Sequence, residues 1–580
     1  MKGFRLEKLI PWTLLLVIGA WGCSMKERRH ARRPVTAEAV KGSSQGPMVR
    51  SRPARRALQA PSAVDRESVA RHRAKKLASG RRVPKDRGTR RPHNTEAYDR
   101  IYENRFLAAK QNPLSTFSTD VDTASYANVR RFLTHKQKPP KGAVRVEELV
   151  NYFNYKYEPP KGKHPFSVHV DISQAPWRPK HRLVRIGLKG KVVDNTSRPA
   201  SNLVFLLDVS GSMRYGKKLP LLKKALNLLV NNLDERDSVS IVVYAGAAGM
   251  VLPPTAGNKK SIIMSAMNRL RAGGSTNGGA GIKLAYKLAL SRYIKGGINR
   301  VILATDGDFN VGTTNRSELV RLIEKKAKSG VYLTILGLGM GNYKDATLEK
   351  LSNKGNGNYA YIDSLKEARK VFVDGMAGTL MTIAKDVKIQ VEFNPNKVRA
   401  YRLIGYENRM LRKEDFNDDK KDAGDIGAGH TVTALYEVVP VGVRSTVDTG
   451  KVDPLRYGDG GKRTTGNRNE MLFVKLRYKK PEGKKSKLLT FPIKDGKAPF
   501  SKASVDFRFA ASVAAFGMLL RGSKYKGSVT FADVLRWARG SLGKKHDPKG
   551  YRKEFVKIVS AASRLYGENI VKKKKLAGTH

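Results

Sequence analysis

Residues 202–213 read NLVFLLDVSGSM. The unbroken apolar run from Leu203 to Leu207 has strand length, and a strand without polar alternation belongs inside a parallel sheet covered on both faces. The run ends on a carboxylate, Asp208, followed by two hydroxyls, Ser210 and Ser212. The carboxyl edge of such a sheet is where open α/β folds bind their ligands.

Further apolar runs follow at 238–245 (SVSIVVYA), 300–306 (RVILATD), 331–339 (VYLTILGLG) and 358–363 (NYAYID). Between them, 217–233, 258–271, 279–293, 316–329 and 344–354 carry apolar residues at helical spacing. Strand and helix in alternation predict an α/β fold: a central, doubly wound, mostly parallel, Rossmann-like sheet with helices on both faces.

The flanks have another character. Alternating segments at 165–173 and 181–191, joined by a turn around Pro176 to Pro179, predict strands, as do 386–394, 398–406, 430–440, 469–478 and 488–493. The earlier and later strands are expected to share one β-domain into which the α/β unit is inserted. Helices are expected at 98–109, 123–133, 145–153 and 365–382. Three apolar stripes near the C-terminus predict core helices: Val505, Phe509, Val513, Phe516 and Leu520; Phe531, Val534, Leu535 and Ala538; Phe555, Val559 and Ala562.

At the other end, Lys2, Arg5 and Lys8 precede the apolar run LIPWTLLLVIGAW (9–21), a secretory signal too short for a comfortable membrane span. The chain's single cysteine, Cys23, follows Ala20, Trp21 and Gly22. This resembles a bacterial lipobox, which implies removal of 1–22 and lipidation of Cys23, although Ala20 and Trp21 depart from the commonest pattern. Ser24, where Asp would favour the inner membrane in enterobacteria, leans the expectation towards the outer membrane. Residues 23–95 are basic and almost free of aromatics, a tether that cannot bury enough apolar surface to order itself. Its charge serves either adhesion to an anionic surface or solvation alone.

The whole chain carries 112 Lys and Arg against 50 Asp and Glu, a formal charge of +62, and so attracts polyanions. No nucleic-acid-reading motif accompanies that charge, and one cysteine with scattered histidines excludes a disulfide framework and a zinc cluster.

Two more loops join Asp208, Ser210 and Ser212: Gly273-Gly274-Ser275-Thr276-Asn277 before a helix, and Thr305-Asp306-Gly307-Asp308 at a strand end. All three can meet at one sheet edge. The hard oxygen donors of Asp208, Ser210, Ser212, Thr276 and Asp306 suit Mg²⁺ or Mn²⁺ and not zinc or copper. An ion held by so few carboxylates keeps an open position for a partner's carboxylate.

D-x-S-x-S after a strand, a Thr in a Gly-rich loop and T-D-G after another strand resemble the metal-ion-dependent adhesion site of von Willebrand factor type A domains. The resemblance implies that Ser210, Ser212 and Thr276 bind the ion by hydroxyl, and that Asp208 and Asp306 act directly or through water. STFSTDVDTASYANVRRFL (115–133) and VDFRFAASVAAFGMLLRGS (505–523) resemble the flanks of bacterial YfbK-type lipoproteins, a likeness running from about Asn94 to Tyr566. It divides the chain into a von Willebrand factor-associated segment (96–198), the type A domain (199–380), a β-rich domain (381–500) and a helical region (501–580).

The expected function is binding of a protein partner through that metal site, not catalysis. A scaffold for anionic envelope polymer, with the type A domain structural, is the alternative. A Mg²⁺-dependent phosphoester hydrolase is more remote, since the chain has no G-x-S-x-G, no Walker loop, and Ser210 where an aspartyl phosphatase has its second acid. Asp120 and Asp122 also invite a Ca²⁺ reading, but helix capping is preferred because an EF-hand's Gly and distal Glu are missing.

Overall fold

The computed structural model describes residues 96–193, 198–274, 278–307, 316–339, 344–375, 378, 380–449 and 469–568. The signal segment, Cys23 and the tether lie outside them. Four strands precede the quoted stretch: β1 (Leu107–Ala108), β2 (Leu114–Ser118), β3 (Phe166–Ala175) and β4 (Arg178–Gly190). The stretch itself is β5 (Ser201–Asp208), followed by β6 (Ser238–Tyr244), β7 (Ala248–Ala256), β8 (Ile298–Thr305), β9 (Tyr332–Leu338) and β10 (Tyr359–Ile362). After these come β11 (Thr382–Phe393), β12 (Val398–Ile404), β13 (Met410–Leu411), β14 (Gly424–Gly427), β15 (Thr431–Pro440), β16 (Glu470–Lys479) and β17 (Lys487–Lys494).

The α/β sheet runs β10-β9-β8-β5-β6-β7, with every pair parallel except β6 and β7. Every residue of β5 and β8 is buried. Leu203, Phe205 and Leu207 pack with Leu222 and Leu226 of α3 (Lys218–Val230) and Ile263 of α4 (Lys260–Arg269). Val204 and Leu206 face the other way, towards Ile282 of α5 (Gly278–Ser291), Leu319 of α6 (Arg316–Lys328) and Leu348 of α7 (Asp345–Lys354). Two-sided burial thus explains the missing polar alternation. β7 was not foreseen: Pro253 and Pro254 argue against a strand, and the structure tolerates them because β7 is an edge.

The remaining strands form two antiparallel sheets, β1-β12-β15-β4-β3 and β13-β2-β11-β16-β17, with β14 on β11. Their shared core includes Phe117, Ile186, Val391, Tyr401, Tyr436 and Val474. Strands from before the α/β unit pair directly with strands from after it: β4 with β15, β2 with β11 and β1 with β12. The helical parts also interleave. α1 (Ala124–Thr134) and α2 (Val146–Asn151) share one core with α9 (Val505–Arg521), α10 (Phe531–Arg539) and α11 (Tyr551–Leu565). Described parts of the chain from before and after the α/β unit thus share a β core and a helical core.

α1 ties the α/β unit to that helical core. Its Ala124 and Ala127 belong to the α/β core, whereas Tyr126, Val129 and Leu133 belong to the helical one.

Two expected helices are absent or cut short. Residues 98–106 run without helix into β1, because Asn104 Nδ2 donates to the carbonyls of Leu403 (3.2 Å) and Gly405 (2.8 Å) and holds the chain along β12. The segment 365–382 gives α8 (Leu365–Arg369), a wide turn at Lys370–Asp374 and a bend at Gly375, with helical conformation again at residues 378 and 380. Glycine in a helix interior costs about 0.5–1 kcal/mol relative to alanine, and the break falls at Gly375.

Candidate metal centre

β5 and β8 run side by side in a register that pairs Leu207 with Ala304, so Asp208 and Thr305 close neighbouring strands and Asp306 follows at once. Asp208 and Asp306 are fully buried and Ser210 is nearly so. The turn after β5 brings Ser210 Oγ within 3.0 Å of Ser212 Oγ. The Gly-rich loop docks on the same turn: Gly273 N–H donates to Val209 O (2.7 Å) and Gly211 N–H to Gly274 O (3.0 Å). Gly274, at φ +81°, takes a left-handed conformation natural to glycine. Thr276, three residues after Gly273, lies outside the described residues. The structure therefore brings Asp208, Ser210, Ser212 and Asp306 together and delivers the loop carrying Thr276 to them.

Among the described residues, Asp208 is held only by neutral donors. Ser210 N–H reaches Oδ1 at 2.9 Å, and the hydroxyls of Tyr244 and Thr305 each reach Oδ2 at 3.2 Å. Burial pushes its carboxyl up to about 6; the charge of Asp306 adds to that, while hydrogen bonds from Ser210 and Thr305 oppose it. Asp306 differs, because Lys218 Nζ, at the start of α3, sits 2.8 Å from its Oδ2. The lysine is itself buried, and its stem crosses Gly339 at the end of β9, where a Cβ would meet Lys218 Cε at 2.1 Å. Sequence reasoning missed Lys218, since nothing distinguishes it from Lys217 beside it.

The donor set fits a hard divalent ion. All donors are oxygens, two are hydroxyls in contact, and a buried carboxylate with no cationic partner among the described residues lacks the charge that a metal would supply. Asp120 and Asp122 do something else. Asp122 Oδ1 accepts Tyr359 N–H (2.8 Å), and its Oδ2 lies 3.3 Å from Arg409, which also faces Asp120. The α1 N-cap, Thr123, makes no side-chain capping bond, so these acids neither cap the helix nor await calcium; a guanidinium stands where the cation would be. Among the described residues no group of three or more His, Cys, Asp or Glu could hold a metal.

A hydroxyl and carboxylate cluster at the carboxyl edge of this sheet defines a von Willebrand factor type A domain, and the model of that name matches residues 202–373. The model "von Willebrand factor" matches 92–185, and "Uncharacterized protein YfbK, C-terminal" matches 378–565. YfbK of Escherichia coli K12 is 45% identical over 477 residues, 81% of each chain, and the protein belongs to the YfbK family. More distant likenesses cover less. Protein sll0103 of Synechocystis is 29% identical over 33% of this chain and 44% of its own length, and human inter-alpha-trypsin inhibitor heavy chain H4 is 32% identical over 26% and 17%. A solved von Willebrand factor type A protein from Catenulispora acidiphila covers 70% of this chain and 91% of its own, at 16% identity and a TM-score of 0.38.

Proposed function

We propose that the protein binds an acidic side chain of a protein partner through a divalent ion held by Asp208, Ser210, Ser212, Thr276 and Asp306, and that it is not an enzyme. The observation that carries this reading is the buried carboxylate of Asp208, which meets no cation among the described residues, beside two touching hydroxyls and a second buried carboxylate. Mg²⁺ or Mn²⁺ would supply a positive charge with an exchangeable position for the partner's carboxylate. The chain's own groups prepare the site: Tyr244 and Thr305 orient Asp208, and Lys218 holds a resident positive charge against Asp306. The excess of positive charge would speed encounter with an acidic partner.

Calorimetric titration of Mg²⁺ and Mn²⁺ into the full chain, beside a folded Asp208→Ala, Asp306→Ala double variant, tests the site. Binding in the parent and none in the variant is expected; equal heats in both would retire the reading in favour of a polymer-binding scaffold, whose binding falls steeply with salt and ignores chelators. Mg²⁺-dependent phosphoester turnover that vanished with Asp208→Ala would instead make the protein a hydrolase.

The proposed location is the cell envelope, with Cys23 lipidated and the outer membrane favoured. Cys23→Ser should then move the protein out of the membrane fraction, and a variant that stayed there would end this part of the proposal.

A further inference from the structure

A cavity of about 350 Å³ lies beside the amino-terminal ends of β9 and β10, away from the strand-end centre. Its wall combines Thr334 and Tyr359 of the α/β unit with the turn Ala428–His430 before β15 and with both connections of the unit to the rest of the fold, Val192–Val193 and Lys370–Gly375. The titratable residues in its lining are Asp122, Lys189, Tyr359, Lys370, Asp374, His430 and Tyr551.

The acids among them are already engaged. Asp122 accepts the Tyr359 N–H and faces Arg409, and Asp374 takes Lys549 Nζ at 2.6 Å and the Tyr551 hydroxyl at 2.9 Å. The cationic side is not engaged. Lys370 Nζ stands 3.7 Å over the Tyr152 ring and, among the described residues, has no carboxylate within ion-pair distance. Among the described residues, Lys189 Nζ donates only to a neutral carbonyl, Gly429 O, at 2.7 Å. The His430 ring makes no hydrogen bond to a described residue. Burial, together with the charges of Lys370 and Lys189, pushes that ring down to about 4 and keeps it neutral.

A half-open cavity with two ammonium groups that have no carboxylate within ion-pair distance among the described residues, and an imidazole without a hydrogen bond to any of them, suits a ligand that brings negative charge and hydrogen-bond acceptors. Its volume is that of a small-molecule site and not of a macromolecular surface. Val192, Val371 and Ala360 add apolar wall beside the charged groups. We propose that this cavity binds a small organic oxyanion, its phosphate or carboxylate group received by Lys189, Lys370 and His430.

The test uses the full chain at about 150 mM salt, which screens nonspecific binding to exposed basic segments. Inorganic phosphate and acetate are titrated separately while the His430 ring signal, assigned by its loss in His430→Gln, is followed by NMR with labelled histidine. A saturable shift with either anion is expected, accompanied by a rise of the ring's pKa from about 4 as the bound charge offsets Lys370 and Lys189. The stronger of the two anions distinguishes a phosphate ligand from a carboxylate. Lys370→Met should weaken that binding at least about tenfold and leave the Mg²⁺ titration unchanged. If that variant does not fold, Lys189→Met decides by the same readout. No saturable shift at millimolar anion, or full affinity in a folded lysine variant, overturns the proposal.

Discussion

At the junction between the α/β unit and the rest of the fold, buried carboxylates meet arginines. Arg130 holds Asp363, Glu367 and Glu554; Arg145 holds Glu148, Asp345 and Glu349; Arg409 holds Asp120, Asp122 and Glu349. At the ends of β5 and β8 the treatment is different: among the described residues Asp208 meets only neutral donors, and Lys218 faces Asp306. Glu148, Asp345 and Glu349 around Arg145 are buried as Asp208 and Asp306 are, so there the contrast lies in charge compensation and not in burial. Carboxylates that the fold already neutralises serve to fix one part against another. A carboxylate left uncompensated adds a cost to the fold and keeps its charge available to an outside cation.

The largest effect that would break this contrast lies at the junction. Arg145→Met leaves Glu148, Asp345 and Glu349 buried against an apolar side chain, and removing one partner of a buried charge cluster costs about 3–5 kcal/mol. Urea unfolding of the variant should show a loss of that size. A loss below about 1 kcal/mol, the range of an exposed pair, would mean that the junction arginines are not structural and that the two regions do not differ as argued.

Much of the α/β half is legible in the sequence because parallel strands buried on both faces leave unbroken apolar runs. β5, β6, β8, β9 and β10 stand where those runs predict them, and the Asp208 turn and Asp306 follow as strand ends. The helix expected before β1 is absent and the one expected after Leu365 is interrupted, because tertiary pairing to β12 and the break at Lys370–Gly375 outweigh local periodicity. Charge pairing was not legible at all. Arg130, Arg145, Arg409 and Lys218 are four among 112 basic residues, and only the fold separates them from solvated ones. Thr276 and Cys23 remain sequence expectations.

A smaller effect sharpens the contrast at its one ambiguous point. Asp306 has a cationic partner, so it falls between the two classes, and the role of Lys218 decides to which it belongs. If the ammonium is a resident counter-charge, it opposes a divalent ion at the same carboxylate, and Lys218→Met should tighten Mg²⁺ binding. A gain of about tenfold, or 1.4 kcal/mol, is expected from calorimetry, less than a bare Coulomb estimate because solvent and protein screen the pair. Methionine suits the test because its unbranched chain can still lie over Gly339, where the lysine stem now runs. Weaker Mg²⁺ binding in a folded variant would reverse the assignment. Lys218 would then be the group that orients Asp306, and Asp306 would belong with the junction carboxylates, leaving Asp208 as the one uncompensated acid at the strand ends.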